Sequence, residues 1–87
     1  MGVYGMIPLI GSSIPLDTQG YSRLLLQSAG SFRFSNNQAD VEDSSSTNSF
    51  TNLAGAVGTY EQIILEGNLS KTIWLYGSGV ALYYALT

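Results

Sequence analysis

The chain has 87 residues, of which 45% are hydrophobic and only 10% charged, and its three Lys or Arg against six Asp or Glu give a net charge of −3. Ordinary domains are about 25% charged, so this composition argues against a disordered chain, and three scattered cations cannot supply the basic stripe that nucleic acid requires. With no His and no Cys, the imidazole base, the thiolate nucleophile, the zinc cage and the disulfide framework are all missing, so neither an enzyme nor a cofactor or metal site is expected.

Residues 1–16 lack a basic n-region, and their apolar residues are interrupted by Pro8, Gly11 and Pro15. No targeting segment is expected there, and the chain reads as one made in the cytoplasm. The apolar stretch from Ile73 to Leu86 is broken by Gly77, Ser78 and Gly79. It falls short of the roughly 20 residues of a spanning helix, so no membrane partner is expected.

The first element is read as an extended N-terminal arm over residues 1–20, preceding a single β domain over 21–87. Ile7-Pro8-Leu9 recurs as Ile14-Pro15-Leu16, and each proline fixes φ, removes a donor and favours an extended residue before it. Two readings of this arm stand side by side: a strand tucked along its own domain, or a reaching segment that docks on a neighbour with Ile7, Leu9, Ile14 and Leu16 as apolar plugs.

From Tyr21 the alternation predicts strands near residues 23–27, 31–35, 60–65, 72–76 and 80–86, an all-β antiparallel sandwich or small barrel. Ser28-Ala29-Gly30 suggests a hairpin between the first two, with Phe32 and Phe34 on one face and Arg33 on the other. Residues 36–51 are polar and read as a long exposed loop, or as frayed edge strands around Val41 and Phe50. Residues 53–58 read as small and flexible. Helix is poorly supported anywhere, the one compatible stretch being 53–65 despite Gly55 and Gly58. A closing hairpin is expected to join 72–76 to 80–86 through Gly77-Ser78-Gly79.

In that closing pair, Ile73, Leu75, Val80, Leu82, Tyr84 and Leu86 share one parity, and Trp74, Tyr76, Ala81, Tyr83 and Ala85 the other. Both sets are apolar or aromatic, which means that both faces are covered. The second cover is either the chain's own arm or another subunit meeting an aromatic interface of Trp74, Tyr76 and Tyr83. The size of the chain points the same way. Burying about 5,000 Å² of apolar surface contributes roughly 125 kcal/mol, while ordering the chain costs about 130 kcal/mol, so association with copies of itself is a natural source of stability.

Chemical motifs are scarce. Asp40-Val41-Glu42-Asp43 could form a weak calcium site, but it lacks the spacing and glycine of an EF-hand loop and reads more simply as a solvated acidic segment. The short Gly-bearing stretches are not followed by a P-loop Lys or a helix. Lys71 is the only lysine, and no serine is placed to use it as a base.

A short chain free of Cys and His, rich in Ser, Thr and Asn, with an apolar arm, the 23–34 segment and the closing Thr72-Ile73-Trp74-Leu75-Tyr76-Gly77-Ser78-Gly79, resembles small virion structural proteins of tailed bacteriophages, the capsid decoration or cement proteins most closely. The resemblance spans residues 21–87 in pattern, has no diagnostic motif and carries over no site residue. It implies a β-sandwich or barrel, frequently a homotrimer, located on the virion, where it would contact the major capsid protein or another virion protein and reinforce the head lattice. A head-completion, tail or fibre component, a carbohydrate-binding module stacking sugars on Trp74, Tyr76, Tyr83 or Tyr84, and a β-hairpin of a membrane barrel are the alternatives.

Overall fold

Stretches of alternating sequence pass from one sheet into the other and so serve both. The structure is a computed structural model that describes every residue except Met1, Ala29, Ser44, Asn48 and 52–60. Its elements are β1 (Val3–Ile10), β2 (Ile14–Asp17), β3 (Arg23–Ser28), β4 (Arg33–Ser35), α1 (Gln38–Glu42), β5 (Phe50–Thr51), β6 (Glu61–Glu66), β7 (Thr72–Tyr76) and β8 (Ser78–Leu86). Sheet A has the order β1-β8-β3-β6 and sheet B the order β2-β7-β4-β5. All pairings between these strands are antiparallel. The protein is an all-β two-sheet sandwich, with one short helix among the described residues.

The central ribbon is the run from β7 into β8, which passes from sheet B to sheet A. On one side β1 pairs with β8 from Val3 opposite Leu86 to Ile10 opposite Ser78, and β2 pairs with β7 from Ile14 opposite Leu75 to Asp17 opposite Thr72. On the other side β3 pairs with β8 and β4 with β7. The chain turns these corners at glycines. Gly11 has φ of +84°, a left-handed conformation that costs other residues energy. At Gly77 a Cβ would come within 2.7 Å of the Leu9 side chain.

Period two then sorts the side chains. Leu9, Leu16, Leu24, Leu26, Phe32, Phe34, Ile73, Leu75, Leu82 and Leu86 are buried together between the sheets, with Ile7, Ile14, Ile63, Val80 and Tyr84 packed against them. Phe32 and Phe34 share the core side as expected, with ring centroids 6.2 Å apart. Of the two parity sets of strands 72–76 and 80–86, the one holding Ile73, Leu75, Val80, Leu82, Tyr84 and Leu86 is the one that faces the core.

The structure decides one open reading and corrects three expectations. Of the two readings of the N-terminal segment, the strand tucked along its own domain is the one found, not the reaching arm: β1 and β2 are edge strands of the two sheets, hydrogen-bonded along their length. Their prolines suit that position, because an edge strand tolerates a residue without an N–H. Residues 23–27 and 31–35 do not pair as a hairpin, since β3 lies in sheet A and β4 in sheet B. The same holds for β7 and β8, whose Gly77-Ser78-Gly79 connection is a bend between sheets. Finally, the polar stretch contains a helix: Asn37 caps α1 by accepting the Ala39 amide at 3.0 Å, the usual role of Asn at such a position. Val41, expected on a frayed strand, is buried beneath that helix, while Phe50 does begin the edge strand β5. Residues 61–65 of the helix-compatible stretch are strand, and residues 53–58 lie outside the described residues.

Candidate functional site

The two outer faces of the sandwich differ. On sheet B, α1 packs over β4 and β7, where the half-buried Trp74 and Tyr76 point outward. The Arg33 guanidinium fastens this cover: Nε and Nη2 donate to the Val41 carbonyl at 3.0 and 2.8 Å, and its carbon lies 4.3 Å from the centroid of the Tyr76 ring. Ser13 donates to Glu42 Oε1 at 2.5 Å, tying the helix to the β1–β2 corner.

Sheet A has no such helix among the described residues. Its outward residues form rows set by the strand register. Tyr4 lies opposite Ala85, Ala85 opposite Leu25 and Leu25 opposite Ile64; beside them run Met6, Tyr83, Gln27 and Gln62. Tyr4 is 72% exposed, Ile10 71%, Met6 53%, and Ile64 and Tyr83 45% each, and these are the exposed large hydrophobic residues among those described. All five are on this one face. The small Ala85 between Tyr4 and Leu25 leaves an open depression of about 300 Å³, bounded by the two tyrosines Tyr4 and Tyr83.

Charge is distributed in the opposite sense. At one end of the sheet A face, Arg23 and Glu66 form an ion pair at 3.5 Å and cancel one another. Asp40, Glu42 and Asp43 belong to α1 and its end, and Asp17 is exposed on β2, all on the sheet B side. Those three clustered carboxylates serve local hydroxyls: Asp40 accepts from Ser46, Glu42 from Ser13 and Asp43 from Ser45. Hydrogen bonds from the Ser45 hydroxyl and amide hold the Asp43 carboxyl below its ordinary pKa. Among the described residues no group of three His, Cys, Asp or Glu is arranged to hold a metal ion.

The expected interface residues therefore separate. Leu9 and Leu16 are buried in the protein's own core, and Ile7 and Ile14 pack against it, so these four plugs are engaged within the domain. Trp74 and Tyr76 lie on the outer face of sheet B and Tyr83 on that of sheet A, so they do not form one aromatic surface. Tyr84 turns inward, its ring filling the space where a Cβ of Gly5 would stand. The residues overlooked by sequence reasoning are Tyr4, Met6, Ile10, Leu25 and Ile64. For Tyr4, Met6 and Ile10 the signal was present in Val3–Ile10, where Val3, Ile7 and Leu9 occupy one parity and these three the other.

No protein-family model matches the chain, and neither a curated protein nor a solved structure shows detectable similarity to it. The class that the fold and this surface define is a small two-sheet β-sandwich with, among the described residues, one helix-covered acidic face and one exposed apolar face.

Proposed function

We propose that the chain is a non-enzymatic structural subunit of a phage virion, a capsid decoration protein that works with copies of itself and against another virion protein. The observation that carries the structural role is the collection of Tyr4, Met6, Ile10, Ile64 and Tyr83 on one sheet face. A contiguous exposed apolar patch marks an interaction surface, and the charged groups of this face, Arg23 and Glu66, pair with one another at its end. The resemblance of residues 21–87 to decoration proteins supplies the virion as the setting, where lattice repetition multiplies many weak contacts.

The test is cosedimentation of the full chain with bare phage heads, together with the temperature at which those heads rupture. Binding with a raised rupture temperature is the expected result. A chain that neither binds heads nor shifts that temperature removes the decoration reading and brings a tail, fibre or head-completion role forward.

The depression between Tyr4 and Tyr83 favours a second reading, a carbohydrate-binding module with those rings as stacking platforms. Its lining offers Gln27 and the phenol hydroxyls as polar groups, a sparse set for sugar hydroxyls. Titration of the free chain with oligosaccharides, read by tyrosine fluorescence, decides between the two.

A further inference from the structure

We infer that the outer face of sheet A is a self-docking surface, and that its occupant is the same face of a second copy of this chain. The inference rests on the reading of this face as an assembly surface and names what covers it.

Charge selects the partner first. The face carries Arg23 and Glu66 as a mutually neutralised pair, and its centre is the uncharged rows Tyr4–Ala85–Leu25–Ile64 and Met6–Tyr83–Gln27–Gln62. A strongly charged partner finds no complement there. Neither does an anionic lipid surface, which is recognised by Lys and Arg flanking the apolar side chains. A second copy presents an equally uncharged centre. Stacking sheet A on sheet A also points both acidic faces, with Asp17, Asp40, Glu42 and Asp43, away from one another into water, where like charges repel least.

Area agrees with this choice. Side chains of the size and exposure of Tyr4, Met6, Ile10, Ile64 and Tyr83 hold on the order of 600 Å² of accessible surface, and Pro8, Leu25, Ala85 and the two glutamines add to it. A stable interface needs about 800 Å² per partner. At the β1 edge, geometry then favours the face over strand addition. The edge strand β1 carries Pro8, which has no N–H, and a register irregularity at Leu9/Ile10, two features that blunt strand addition along an edge. Packing by faces keeps the backbone ladders intact and sets the two sheets about 10 Å apart. A surface docked on its own copy is isologous, so the assembly closes at two.

The experiment is light scattering on the full chain over a dilution series reaching about 100 µM, where even a weak dimer is populated. Expected is a mass of twice the 9.3 kDa chain, with the double variant Met6→Lys, Ile64→Lys weakening dimerisation at least ~100-fold, as burying two unpaired charges from each copy requires. The far-ultraviolet circular dichroism of the variant should match the parent, because both positions are exposed. Ala39→Lys, on the exposed surface of α1, should leave the dimer unchanged. A monomer throughout the series overturns the inference, as does any oligomer whose mass the double variant leaves unchanged. The head-binding assay separates this outcome from the functional reading. A dimer that ignores heads keeps the self-docking face and loses the virion role. A monomer that binds heads, and loses them on Met6→Lys, Ile64→Lys, keeps the assembly face and overturns the second copy as its occupant.

Discussion

Gly11 donates its amide hydrogen to the carbonyl of Gly77 at 2.7 Å, and this bond joins the two corners at which neighbouring chains bend from one sheet into the other. From Val3 opposite Leu86 to Asp17 opposite Thr72, the first and last strand pairs of this one chain run side by side around that bend, residues 3–17 against 72–86. The ends of the sequence thus form one antiparallel ribbon, and the rest of the sandwich is laid against it.

The corner should be sensitive at Gly77 above all. A Cβ there would meet Leu9 Cδ1 at 2.7 Å and the Ser31 carbonyl oxygen at 3.3 Å, and the carbonyl is backbone that cannot swing aside. Gly77→Ala is expected to cost about 1–3 kcal/mol, the usual range for overpacking. Gly11→Ala should cost about 1–2 kcal/mol through its positive φ. Urea unfolding of the two variants checks both values.

Removing residues 2–17 should abolish cooperative folding. That segment supplies Leu9 and Leu16 to the core and hydrogen-bonds along β8 and β7, so its loss strips a row of core side chains and opens one side of the central ribbon. Thermal denaturation of the truncated chain should show no sharp transition. A truncated chain that melts like the parent would restore residues 1–20 as a dispensable arm.

Arg33 should set the stability of the helix cover. Arg33→Lys keeps the charge but loses the planar fork that reaches the Val41 carbonyl with two donors and stacks on Tyr76. The expected loss is about 1–2 kcal/mol. Hydrogen exchange over residues 38–42 should accelerate by more than exchange in β8.

Asp43 should report acid loosening of the segment after α1. Its folded pKa lies below the ordinary 3.8 because Ser45 donates to it through both hydroxyl and amide. The stabilisation is therefore fully present above 3.8 and is lost as pH falls through the lower folded value. An NMR titration of the Asp43 carboxyl should find its midpoint below 3.8, and Ser45→Ala should move that midpoint upward.

Much of the local structure was legible in the residues. Alternation is a property of the extended backbone itself, so Ile73, Leu75, Leu82 and Leu86 could be assigned to one shared face, and Phe32 and Phe34 to another, before any pairing was known. Five-residue α1 was hidden for the same reason in reverse: it is too short to show a 3.6-residue period, and Asn37 was its one local mark.

Which sheet each strand joins was decided by tertiary structure. Ser28-Ala29-Gly30 and Gly77-Ser78-Gly79 carry the small residues that either a hairpin or a bend between sheets needs, and only partners distant in sequence distinguish them. β4 meets β7 and β8 meets β1, contacts no local pattern encodes. The candidate site divides along the same line. Apolar residues on both parities of Val3–Ile10 were visible in the sequence as two competing inward faces. Burial of Leu9 in the core, with Ile7 opposite Leu82, turned Tyr4, Met6 and Ile10 outward, and pairing with β8, β3 and β6 then placed them on one surface with Tyr83, Leu25 and Ile64. A strand's own alternation determines which side chains lie together on a side; the choice of the side that faces water depends on what the opposite sheet covers.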